Sequence, residues 1–102
     1  MPNTIFEKQG TTLTVRPESQ LDSITAPVLE GQLRPYMDDV REVSMDFTKV
    51  EYISSGGIRV LLATEQQLER RGGGLTLIHV NDTIQEILKM LGFLDLVTVV
   101  QD

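Results

Sequence analysis

The chain has 102 residues, a formal net charge of −6 and no cysteine. That length suits one small domain, and the lack of thiols excludes disulfides, thiol catalysis and cysteine metal sites. With 9 basic against 15 acidic residues and no basic cluster beyond Arg70-Arg71, neither nucleic acid nor an anionic membrane surface is an expected partner. Met1 to Gly10 lack a basic segment followed by an apolar run, and no stretch approaches the ~18 apolar residues of a membrane span. A cytoplasmic location is expected.

Thr4 to Lys8 and Thr11 to Arg16 flank Gln9-Gly10, and the alternation in Thr-Leu-Thr-Val predicts an opening β-hairpin. Pro17 to Gln20 is polar and predicts a loop. Ser23 or Thr25 offers a cap for a first helix, with Pro27 in its first turn. Leu29, Leu33, Tyr36 and Met37 then share one helical face to about Asp38, and Pro35 should kink or end that helix nearby. Val43, Met45 and Phe47 alternate in a strand over Glu42 to Phe47. Ser55 to Arg70 reads as a helix with Ile58, Leu61, Leu62 and Leu68 on one face, widened by Val60 and Ala63, and Gly72-Gly73-Gly74 stops it. Leu75 to Val80 is a near-continuous apolar run, as in a central strand. Ile84, Ile87, Leu88 and Leu91 mark a third helix, with Thr83 and Glu86 spaced as a capping box. Gly92 ends it, and Leu96 to Val100 closes the chain as a short strand. The order β-β-α-β-α-β-α-β predicts an α/β fold with a mostly parallel sheet and an antiparallel edge.

The run from Met45 to Leu62 carries the functional signal. It reads as a buried strand, a short loop, the pair Ser54-Ser55, and a helix that starts on glycine. A hydroxyl is thereby placed beside backbone N–H groups that no helical carbonyl can reach, which suits a negative charge. Ser55 there is either a helix cap or the carrier of a phosphate.

Asp46-Phe47-Thr48-Lys49-Val50-Glu51-Tyr52-Ile53-Ser54-Ser55-Gly56-Gly57 resembles the signature of STAS domains, the anti-sigma factor antagonists of bacteria. Leu21-Asp22 resembles the family's segment ahead of its first helix, and Ile87 to Leu96 the ending of its last long helix. The resemblance covers essentially the whole chain. It implies a mixed, mostly parallel sheet of about five strands with helices packed against it, in a single domain over 1–102. It implies no catalysis and no cofactor or metal. Ser55 falls on the serine that partner kinases phosphorylate with ATP and Mg²⁺ of their own. Gly56 stands where serine or alanine is usual, Gly57 matches the glycine that admits the backbone to the helix, and Asp22 matches a family aspartate at the same end of the sheet. Two positions depart: Ser54 replaces an aspartate, and Ser19 replaces a glycine ahead of Leu21-Asp22. The implied partners are an anti-sigma serine kinase, bound by the unphosphorylated form, and a metal-dependent serine phosphatase that resets the switch. The implied contact surface is Asp22 and Ser54, Ser55, Gly56, Gly57, Ile58 and Arg59. A phosphate on Ser55 is expected against the N–H groups of Gly56, Gly57 and Ile58, with Arg59 one turn away.

Plainer readings stand beside these. Arg59 alone is more often a solvated charge. Asp22 can cap or contact. His79, the only histidine, reads as a core or sheet residue, and Met37, Met45 and Met90 as core filler. Gly72-Gly73-Gly74 lacks the lysine of a phosphate-binding loop and is a turn. An enzyme would need His79 as base for Ser54 or Ser55, and no Gly-x-Ser-x-Gly elbow surrounds either serine. The rival function is a constitutive binding subunit of a transporter or lipid-transport assembly, without a phosphorylation cycle.

Overall fold

Alternating side chains in three five-residue segments set the architecture. Leu13 and Val15, Val43 and Met45, and Leu75 and Leu77 are all buried, while Thr14, Ser44 and Thr76 between them stay half-exposed. This is the signature of a sheet with one face on a core and the other toward water. The structure, a computed structural model, describes residues 4–100. Its elements are β1 (Ile5–Gln9), β2 (Thr12–Arg16), α1 (Thr25–Met37), β3 (Glu42–Asp46), α2 (Ser55–Glu69), β4 (Gly74–Ile78), α3 (Asp82–Met90), a 3-10 turn (Phe93–Asp95) and β5 (Thr98–Val99).

The strands lie in the order β1-β2-β3-β4-β5, with β1 antiparallel to β2 and every later pair parallel. Each helix crosses between neighbouring strands, so the helices collect on the buried face. Leu29 and Leu33 of α1, Leu61 and Leu68 of α2, and Ile84 and Leu88 of α3 join the strand residues in one core. The strand order never reverses. The sheet therefore has no switch point, the crevice where open α/β sheets hold small ligands.

Several local expectations are corrected. α1 is not among them: as expected it passes the exposed Pro35 and ends two residues later at Met37. β4 stops at Ile78, because His79 takes a left-handed φ of 57° and is exposed rather than a core or sheet residue. α3 is capped by Asn81, whose Oδ1 accepts from the Ile84 N–H at 2.8 Å, so Thr83 and Glu86 form no capping box. The last strand shrinks to Thr98–Val99, because Phe93 turns into the core within the 3-10 segment. Met90 is 83% exposed and is no core filler, whereas Met37 and Met45 are buried. On α2, Thr64 is buried and Ala63 exposed, the reverse of their polarity. Thr64 Oγ1 donates to the Val60 carbonyl at 2.7 Å, which lets a hydroxyl sit inside.

Candidate functional site

Parallel pairing of β2 with β3 places the loops that follow them side by side. A parallel bridge joins Leu21 to Ile53. Leu21 N–H donates to the Tyr52 carbonyl at 3.0 Å, and Ser54 N–H donates to the Leu21 carbonyl at 2.8 Å. The entry to α1 and the entry to α2 are thereby one rigid unit. Gly57 makes this possible. A Cβ there would stand 2.7 Å from Ile53 Cγ1 and 2.8 Å from the Leu21 carbonyl oxygen, closer than real Cβ atoms come. At Gly56 a Cβ would meet only ordinary contacts, the nearest at 3.5 Å on Ser23, so alanine or serine fits there.

The two serines divide the work. Ser54, not Ser55, is the N-cap of α2: its φ and ψ are extended, and its Oγ lies 3.5 Å from the Gly57 N–H. Serine caps as well as aspartate does, so the uncharged Ser54 keeps the capping role without the charge. Ser55 is the first helical residue. It is exposed, and its hydroxyl has no hydrogen-bond partner among the described residues. Two of the three N–H groups expected to face a phosphate are already engaged. Ile58 N–H already donates to the Ser54 carbonyl at 3.0 Å, and Gly57 N–H faces Ser54 Oγ. The open donors among the described residues are Ser55 N–H and Gly56 N–H.

Asp22 is a cap. Its Oδ1 accepts from Ile24 N–H and Thr25 N–H, each at 2.9 Å, while Thr25 Oγ1 accepts from Asp22 N–H at 2.9 Å. This reciprocal pair starts α1 and replaces the expected Ser23 or Thr25 cap. The backbone bonds from Thr25 and Ile24 hold the Asp22 carboxyl below its ordinary pKa. Ser19 in the preceding loop needs no glycine, since His79 is the only non-glycine with positive φ among the described residues.

Arg59 is exposed and unpaired among the described residues. Other cations at this end of the sheet are engaged: Lys49 Nζ lies 2.9 Å from Glu18 Oε2, and Arg16 bonds Glu7 and lies 3.7 Å from Asp46 Oδ2. Arg59 borders a depression of about 210 Å³, with Ser23, Pro27, Glu30, Gly56 and Val60. Two exposed apolar side chains near this end were not singled out in the sequence: Ile24, next to Ser23, is 77% exposed, and Tyr52, two residues before Ser54, is 53% exposed. A signal existed for Ile24, because a β-branched apolar residue is a poor choice immediately ahead of a helix unless something outside uses it.

A sequence model of the STAS domain family matches residues 3–102. A Bordetella bronchiseptica protein named as an anti-sigma factor antagonist, BtrV, is 34% identical over 77 residues. That match covers 74% of this chain and 66% of BtrV, just under two thirds of its length. A crystal structure from Thermotoga maritima, described as an anti-sigma factor antagonist, superposes with a TM-score of 0.90 at 14% identity, over 97% of this chain and 86% of the other. The Bacillus cell fate determinant SpoIIAA in its phosphorylated form superposes with a TM-score of 0.77 at 16% identity, over 98% and 93%. No helix among the described residues is long and apolar enough to cross a membrane. With one signature spanning nearly all of its length, the chain belongs to the STAS domain family.

Proposed function

We propose that this domain is an anti-sigma factor antagonist, switched by phosphorylation of Ser55. The observation that carries the reading is the exposed Ser55 hydroxyl, left free because Ser54 does the capping. In the unphosphorylated form, the surface from Ser54 to Arg59, with Ile24, Tyr52 and the loop started by Asp22, docks an anti-sigma serine kinase. That kinase transfers the γ-phosphoryl group of its own ATP. A bond forms between Ser55 Oγ and phosphorus, the bond to the ADP oxygen breaks, and the hydroxyl proton passes to a base of the kinase. A metal-dependent phosphatase later hydrolyses the ester.

The added charge of about −1.5 to −2 sits at a helix N-terminus, where anions are tolerated, so the fold survives. The docked partner does not. An unmatched dianion in a desolvated interface costs several kcal/mol, enough to release it. The test is capture from lysate of the source organism with wild type, Ser55→Ala and Ser55→Asp as baits. A kinase held by the first two and lost by Ser55→Asp, with unchanged circular dichroism, is the expected result. The same partners on all three baits would reduce Ser55 to a surface residue and favour a constitutive binding subunit.

A further inference from the structure

Arg59 follows Ser55 by four residues on one helix, so the two side chains leave the same face one turn apart, with Cβ atoms about 5–6 Å from each other. Both are exposed, and neither has a partner among the described residues. Gly56 contributes no side chain between them and the α1 entry, and the depression at that point is open to water. Glu30 of α1 borders the same depression, yet no ion pair joins it to Arg59. Lys49 and Arg16, by contrast, are committed to carboxylates.

We propose that Arg59 is an intrahelical latch for phosphorylated Ser55, folding back onto the phosphate and leaving the docking surface. This rests on the reading of Ser55 as the acceptor and adds a second element to the switch. Phosphorylation then adds a dianion and withdraws a cation in the same event. The guanidinium fork matches two phosphate oxygens, while Ser55 N–H and Gly56 N–H hold the other side. Glu30 opposes the latch by repelling the phosphate and attracting Arg59. Asp22, held in its ionised form by Ile24 N–H and Thr25 N–H, also repels the phosphate.

The experiment installs phosphoserine at position 55 during translation, so no kinase is needed and failure of the partner reading leaves the result intact. The second ionisation of the phosphate is followed by phosphorus NMR at low salt in the otherwise wild-type protein, Arg59→Gln and Arg59→Lys. The helix N-terminus acts equally in all three and cancels. Closure of the latch lowers the apparent pKa of the wild-type phosphate by about half a unit relative to Arg59→Gln, with Arg59→Lys partway. That difference should fade as salt is raised. Identical titrations for wild type and Arg59→Gln, with all three proteins showing the same circular dichroism, would overturn the latch. The Ser55 switch itself would then stand or fall on the capture experiment alone.

Discussion

At the carboxyl end of α2, Gly72 takes a φ of +81°, Gly73 N–H reaches back to the Leu68 carbonyl at 3.0 Å and Gly72 N–H to the Glu69 carbonyl at 3.0 Å. This is a Schellman ending. Arg71 closes over it, with Nη1 on the Val40 carbonyl at 3.2 Å and Nη2 on Asp38 at 3.4 Å. At the amino end, Gly57 admits the Leu21 backbone of the loop after β2, and Ser54 caps. The resemblance stops there. The carboxyl end commits the N–H groups of Gly72 and Gly73 and the guanidinium of Arg71, leaving only the solvated Arg70 side chain without a partner among the described residues. The amino end leaves a hydroxyl, two N–H groups and Arg59 uncommitted. A rigid scaffold with unspent polar groups is what a modification site needs, since nothing structural is lost when the group changes.

The largest effects should come from the glycines that make both ends rigid. A Cβ on Gly73 would run into the Arg41 carbonyl, so backbone must move. Gly73→Ala is expected to cost about 3 kcal/mol, and Gly57→Ala about 2 kcal/mol, read from urea midpoints. Gly56→Ala has room and should gain about 0.5 kcal/mol. If Gly57→Ala proved as mild as Gly56→Ala, the joined loops would be softer than the contacts imply, and the comparison between the two ends would break.

Ser54 and Ser55 sharpen the same comparison at smaller scale. Ser54→Ala removes the cap and should destabilise by about 1 kcal/mol. Ser55→Ala removes only a solvated hydroxyl and should stay within about 0.5 kcal/mol of wild type. Partner capture should respond in the opposite order once phosphorylation is possible. Equal stability losses in the two variants would mean that both hydroxyls cap.

Much of this was legible in the sequence because it rests on periodicity. Val43 and Met45 alternate in β3, and Ile84 and Leu88 repeat on α3, whatever surrounds them. The signature from Asp46 to Gly57 placed the site for a similar reason, since strand, loop and helix entry are continuous in the chain. The misses all depend on a neighbour. Val80 continues the apolar run of β4 and is itself buried, but the left-handed turn at His79 has already ended the ladder. Met90 and Leu91 extend the apolar pattern of α3 past the point where Phe93 takes over the core, and so stand in water. The division between Ser54 and Ser55 turns on a single backbone conformation, extended at Ser54 and helical one residue later, which composition cannot rank. Asp22 and Thr25 cap each other three residues apart, a pairing masked by Ser23 as a nearer candidate.

The smallest expected effect lies in the middle of the scaffold, between the two ends. Glu65 of α2 accepts the Leu75 N–H at 2.9 Å through Oε2, fixing the start of β4. Burial raises its pKa, and repulsion from Glu69 and Glu42 adds to the rise, against the lowering from the Leu75 bond. The folded state therefore holds the Glu65 proton more tightly than the unfolded chain does. The favourable contribution is fully present below the unfolded pKa, and it is lost as pH rises through the raised folded value. At neutral pH the ionised carboxylate is a small liability that the hydrogen bond partly offsets. Glu65→Gln keeps an oxygen for Leu75 and removes the charge. It should match or exceed wild-type stability at neutral pH, by no more than about 0.5 kcal/mol, and flatten the decline above the ordinary glutamate range. Urea midpoints across that window measure it. A variant clearly weaker than wild type at neutral pH would mean that the charge strengthens the Leu75 bond by more than burial and its acidic neighbours oppose it.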